Sequence, residues 1–285
     1  MKDQTIRSDR LLVSVNPFGA ELKSVEMEGL EYLWQGDPET YARTSPTLFP
    51  IVGRFLSDTY FVGNKAYHMN INGFAMERNF EITEHTPDSI TLSLAADLRT
   101  LAVYPYDFRL EVQYKARDNA LAVQYRIENA GSESMPFGVG CHTAYRWPLF
   151  EGEDPKDYFL HFEKEEDIES FNPFGWREPF VQNTDIRPLD HSLFINFTRS
   201  ITNIRSAWIG FENKKNGRGV RIFRDQFPFM AIWTQPTDNA SFVCLEPCTS
   251  IQPGDRGCTT MFDRVGIQVL APGASAIKEF RVEFL

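Results

Sequence analysis

Phe108-Arg109-Leu110-Glu111-Val112-Gln113-Tyr114, then Leu121-Ala122-Val123-Gln124-Tyr125-Arg126-Ile127 beyond Asp118-Asn119, set large apolar residues at every second position. Successive side chains of a strand point to opposite faces, so each run buries one face and leaves the other to solvent. Asp118-Asn119 between them reads as a hairpin turn. The same period of two runs through Leu11–Val15, Ala20–Met27, Ile90–Leu94, Val220–Ile222, Met230–Trp233 and Phe280–Phe284. Turn residues such as Asn16-Pro17-Phe18-Gly19 separate the runs. Strand after strand at short spacing predicts an all-β fold, a sandwich or barrel.

Helical periodicity is scarce. Glu163 to Glu169 and Ser192 to Arg199 could each hold a turn or two of helix, and residues 150–190 read as long surface loops. No repeat, linker or low-complexity segment divides the chain, so one domain over residues 1–285 is expected. A chain of 285 residues with 24 Phe can bury a sizeable core. The net charge of -10 shows no basic patch and argues against nucleic-acid or anionic-membrane partners. The polar start Met1–Arg10 has no apolar signal core, which points to a cytoplasmic protein. Cys141, Cys244, Cys248 and Cys258 are then expected as free, mostly buried thiols. Cys244, Cys248 and Cys258 lack the paired spacing and the nearby histidine of a metal cluster.

Two stretches carry candidate chemistry. Pro136-Phe137-Gly138-Val139-Gly140-Cys141-His142 brings a histidine into a glycine-rich apolar setting, where it is either a hydrogen-bonded core residue or a proton carrier. Ser241-Phe242-Val243-Cys244-Leu245-Glu246-Pro247 interrupts an apolar strand with an acid, placed by the following proline at a strand end on a sheet rim. Glu246 is either a structural carboxylate or a general base. A His and a Glu across one pocket could serve as acid and base. Arg54, Asn70 and Asn72 offer polar contacts, and Trp34, Phe49, Trp147 and Trp233 offer flat apolar faces, the combination that a sugar needs. His68, His85, His161 and His191 sit in polar or strand-edge contexts and read as solvated.

Taken together, the motifs resemble the galactose mutarotase (aldose 1-epimerase) family, and more closely its shorter bacterial galactose mutarotase-like branch. They are Phe18-Gly19-Ala20-Glu21-Leu22, Tyr32-Leu33-Trp34, Leu48-Phe49-Pro50-Ile51-Val52-Gly53-Arg54, Asn72-Gly73-Phe74-Ala75, Gly140-Cys141-His142, Ile232-Trp233 and Cys244-Leu245-Glu246-Pro247. The resemblance implies an all-β fold of the large antiparallel β-sandwich kind, with an open sugar-binding face. It implies His142 as general acid, Glu246 as general base and Arg54 as a substrate-binding residue, with no cofactor or metal. Two positions depart from the pattern. Asn72 stands where the branch has a histidine, and Asn196 where the family has a sugar-binding aspartate, with Asp225 an outside candidate for that role. The implied activity is exchange of the α and β anomers of a hexose. A non-catalytic sugar-binding or sensing protein and an epimerase for phosphorylated hexoses remain alternatives, and the oligomeric state is open.

Overall fold

The alternating runs become strands in a computed structural model, which describes residues 2–195, 198–237, 240–252 and 258–285. Phe108–Arg117 pairs with Ala120–Asn129 from Phe108↔Asn129 to Arg117↔Ala120. Asp118 in the turn takes a positive φ of 51°, a conformation that Asp and Asn tolerate better than most residues. Phe108, Leu110, Val112 and Tyr114 on one strand, and Leu121, Val123, Tyr125 and Ile127 on the other, are buried, as the period of two requires.

Among the described residues, fifteen strands join one antiparallel sheet. One end holds Thr47–Leu48, Gly140–Cys141, Phe242–Cys248 and Phe229–Trp233. The other holds Ser275–Phe284, Ala120–Asn129, Phe108–Arg117, Ser89–Ala95 and Glu81–His85. The two ends share one core. Ile232, Val243 and Leu245 from the first belong to the same buried cluster as Leu110, Val123 and Phe280 from the second. The Tyr125 hydroxyl bridges them, donating to the Gly140 carbonyl at 3.4 Å. A four-stranded sheet, Gln4–Arg7 to Leu30–Glu31, covers part of this core through Val13, Val15 and Val25.

Several expectations need correction. Residues 150–190 are not mainly loops: Tyr158–Phe171 and Arg177–Pro188 form a long antiparallel pair. Glu163 to Glu169 lies within the first of these strands rather than in a helix. The alternation was masked there because an inward position is filled by a charge. Glu166 is buried and accepts from the Arg205 and Ser206 amides at 2.9 and 2.7 Å and from the Ser206 hydroxyl at 2.6 Å. A carboxylate so bonded can occupy a core position. In the Ser192–Arg199 stretch, a 3₁₀ turn spans His191–Phe194. Two of the histidines read as solvated are partly buried. His161 Nδ1 lies 3.1 Å from Glu212, and the His191 ring stacks on Trp147 at 4.4 Å.

Gly73 sets the geometry of the turn beside the site. Its φ is +77°, and a Cβ built on it would stand 2.1 Å from the Phe49 carbonyl oxygen. That carbonyl accepts from the Phe74 amide at 2.9 Å. Gly73→Ala therefore forces both backbone strain and displacement of the turn. We expect it to destabilise the protein by about 1–3 kcal/mol, read as a lower denaturant midpoint with an unchanged slope. An unchanged midpoint would show that the turn can relax around a side chain.

Candidate active site

The strand Phe242–Cys248 supplies the floor of the site. Its odd members Val243 and Leu245 face the main core, which puts Phe242, Cys244, Glu246 and Cys248 on the other face. Glu246 lies inside this strand, not at its end. The neighbouring ladder pairs Gly140 with Cys248 and Thr143 with Leu245. That register puts His142 directly opposite Glu246. On the other side Glu246 faces Ala231.

His142 Nε2 and Glu246 Oε1 are 3.2 Å apart. The expected acid and base are thus in direct contact rather than held apart across a pocket. Glu246 is 5% exposed, and Oε1 has no aligned hydrogen-bond donor among the described residues. Burial in this setting pushes the Glu246 carboxyl well above the usual carboxylate range. Burial also pushes His142 down, to about 4. Both shifts favour neutral forms, and in that state the pair holds one proton between its two members. A carboxylate beside an imidazolium holds the same single proton.

The imidazole is held from its far side. The Tyr41 hydroxyl is 3.1 Å from Nδ1, and the two rings stack at 5.2 Å. Burial raises the Tyr41 hydroxyl far above its ordinary range, so it stays protonated and can donate or accept as the ring tautomer requires. Trp233 meets the edge of the imidazole at 5.6 Å. The loop carrying Tyr41 is tied down by Glu21, which is 7% exposed. Glu21 Oε1 accepts from the Thr44 and Ser45 amides at 2.7 and 3.2 Å. The loop then hydrogen-bonds the histidine strand, with the His142 amide donating to Pro46 O at 3.1 Å and the Ala144 amide to Thr44 O at 2.8 Å.

Above this floor is an open cavity of about 580 Å³, lined in part by His142, Trp233, Tyr41, Asn70 and Asn72. Two arginines reach it, Arg54 and Arg43. Arg54 Nε lies 3.8 Å from Asp58, and Arg43 lies 3.9 Å from Glu77 while donating to Met76 O at 3.2 Å. The Arg54 backbone is clamped: its amide donates to Gln252 at 3.1 Å, and its carbonyl accepts from Arg264 at 3.0 Å. Arg264 also donates to Val52 O and lies over the Phe55 ring. Burial lowers Arg264 to about 10, which leaves it charged at neutral pH.

The candidates read from sequence fall into three groups. His142, Arg54, Asn72 and Trp233 line the cavity, and Glu246 lies just beneath it. The Asn72 carbonyl oxygen is already engaged by the Gly53 amide at 2.7 Å, so the group left for a ligand is its NH₂. Trp34 does not line the cavity; its indole N–H donates to Tyr41 O at 2.7 Å, and its ring packs on Phe242. Phe49 and Trp147 are buried, and Asp225 is exposed away from the cavity lining. Asn196 lies outside the described residues. Sequence reasoning missed Tyr41, Arg43, Glu77 and Thr198, which sit in segments without period or motif. Phe18–Leu22 forms a motif, but nothing local shows that Glu21 reaches a loop more than twenty positions away.

A metal would find ligands only at the floor among the described residues, where His142, Cys244 and Glu246 converge. Cys141, Cys244, Cys248 and Cys258 are all free of disulfides. No described helix is long and apolar enough to cross a membrane.

The family model described as aldose 1-epimerase matches residues 2–273. Protein LacX, plasmid, of Lactococcus lactis subsp. lactis is 29% identical over 98% of both chains. The structure of a galactose mutarotase related enzyme from Lactobacillus acidophilus superposes with a TM-score of 0.93 at 29% identity, covering 100% of this chain and 97% of that one. A galactose mutarotase-like protein from Lactobacillus casei gives 0.91 at 26% identity, with 100% of both chains covered.

The buried acid carries a stability signature of its own. A carboxyl raised above its ordinary 4.5 binds its proton more tightly in the folded protein than in the unfolded chain. Below pH 4.5 both states are protonated and no penalty exists. As pH rises from 4.5 toward the folded value the unfolded chain ionises first, and stability falls by at most about 1.4 kcal/mol per pH unit. Glu246→Gln keeps the shape and removes this penalty. Its stability relative to wild type is therefore expected to be near zero at pH 4 and to grow in favour of Gln toward pH 7, measured by urea unfolding. A difference independent of pH would mean that burial does not raise this carboxyl.

Proposed function

Because this chain belongs to the aldose 1-epimerase family, we propose that it interconverts the α and β anomers of a hexose through ring opening, with Glu246 as base and His142 as acid. The observation that carries this reading is the contact of 3.2 Å between His142 and Glu246 under an open cavity of about 580 Å³. Ring opening needs a base to take the C1 hydroxyl proton and an acid to give a proton to the ring oxygen. A pair that shares one proton supplies both groups without net proton uptake. In the acting form the carboxylate of Glu246 faces the C1 hydroxyl and the imidazolium of His142 faces the ring oxygen. The proton crosses the contact to reach that form from the neutral pair. Rotation about C1–C2 in the open aldehyde presents the other carbonyl face, and closure reverses both roles.

Tyr41 keeps the imidazole aimed at the reacting atoms, and Trp233 offers an apolar face to the sugar. Arg54, Arg43 and the Asn72 NH₂ supply donors for hydroxyl groups. The second cavity arginine favours one further reading, a hexose phosphorylated away from C1, because two guanidinium groups could engage a phosphate. Asp58 and Glu77 beside them already offset that charge in part, so the neutral hexose is preferred.

NMR exchange spectroscopy between the anomeric protons of galactose, glucose and their 6-phosphates tests the proposal. We expect wild type to accelerate exchange, and His142→Asn and Glu246→Gln to slow it by about 10²–10⁴-fold while remaining folded. The rate should fall on the acid side as the pair takes a second proton near the lowered His142 value of about 4. It should fall on the alkaline side where the raised carboxyl loses the shared one. Binding without accelerated exchange, or full activity in either folded variant, would sink the assignment.

A further inference from the structure

Cys244 is left unused by the acid–base chemistry, yet it lies beside both groups that perform it. We propose that His142, Cys244 and Glu246 form a binding site for a thiophilic divalent cation of the zinc class, opening on the sugar cavity, and that a bound cation shuts down the acid–base pair. The binding part stands on geometry alone; the inhibition rests on the proposed anomer exchange.

The fold places the three groups together. Cys244 and Glu246 are two apart on one strand and so share its face, and His142 stands opposite Glu246 on the neighbouring ladder. One His nitrogen, the Cys sulfur and one carboxylate oxygen all lie within 4.8 Å of one another, and the nitrogen–oxygen separation is 3.2 Å. Zinc binds at about 2.0–2.3 Å from each ligand, which in a tetrahedron separates ligand atoms by about 3.3–3.6 Å. Side-chain adjustments on the order of 1 Å would close the set around an ion.

Three further features fit a metal site. Glu246 Oε1 is buried without an aligned hydrogen-bond donor among the described residues, which leaves its lone pairs available to an ion. The other imidazole nitrogen is held by the Tyr41 hydroxyl at 3.1 Å, the outer contact that orients metal-binding histidines. His142 lines the cavity, which gives an entry path and a fourth position for water or a sugar hydroxyl. A thiol, an imidazole and one carboxylate select zinc or cobalt over magnesium and calcium, which want oxygen ligands throughout. On binding, the thiol proton and the proton shared by the pair pass to solvent. The metal then occupies the lone pairs that the reaction needs.

The test is titration of the intact protein, after chelator treatment, with zinc chloride by calorimetry and with cobalt chloride by absorption spectroscopy. One zinc per chain and a near-ultraviolet thiolate-to-cobalt band are expected in wild type. Cys244→Ala should lose the band and bind zinc at least tenfold more weakly, while Cys248→Ala, altered on the same face of the strand, should keep both. The ratio of anomer exchange with and without zinc should fall at least tenfold in wild type and stay near one in Cys244→Ala. Absence of zinc binding or of the cobalt band in wild type overturns the site without requiring any variant to fold. Equal zinc affinity in Cys244→Ala overturns it as well, and exchange insensitive to bound zinc overturns the inhibition. If wild type exchanges no sugar, the functional reading has failed, and the zinc and cobalt titrations still decide the site.

Discussion

A carboxylate buried against an imidazole is the constraint around which this structure is arranged. Glu246 takes a place in a strand whose neighbours on both sides in sequence are buried apolar residues, and its Oε1 receives no aligned donor among the described residues. Such a group is unfavourable for folding and is kept neutral by its own burial. Under the proposed acid–base reading the same burial would serve the chemistry, because a proton held between a reluctant carboxyl and a reluctant imidazole is readily passed between them. Stability and the proposed reactivity are then opposed at this one position.

The rest of the site serves to keep that contact short and accessible. Tyr41 and Trp233 wall the imidazole, and Trp34 backs Tyr41 from outside the cavity. Glu21 fixes the Tyr41 loop by accepting two backbone amides, so one buried acid positions the surroundings of another. Arg264 does the corresponding work for Arg54 by donating to the carbonyls of Val52 and Arg54. Each of these holds a loop by its backbone, which limits how far the side chain at the cavity can wander.

Much of the fold was legible because burial on one face writes a period of two. Phe108–Tyr114 and Leu121–Ile127 show it clearly, and they pair as neighbours through a two-residue turn. The pattern failed where both faces are covered or where a polar group is satisfied inside. Phe242–Cys248 is buried throughout, so its alternation vanishes and Glu246 looked like a terminus rather than a member of the strand. Tyr158–Phe171 carries Glu166 inward and shifts register along its length, and its charged middle imitated a loop.

The sequence by itself determined that this chain is built of antiparallel strands and that His142 and Glu246 are unusual in their surroundings. Those facts rest on local chemistry: which side chains alternate, and which polar residue interrupts an apolar run. Only the tertiary structure decided that the two meet at 3.2 Å, that Trp34 stands behind the cavity while Tyr41 and Arg43 enter it, and that Cys244 joins the pair. Strand register between segments about a hundred residues apart sets these distances. Register is fixed by the summed packing of the whole sheet, and no single stretch of sequence records it.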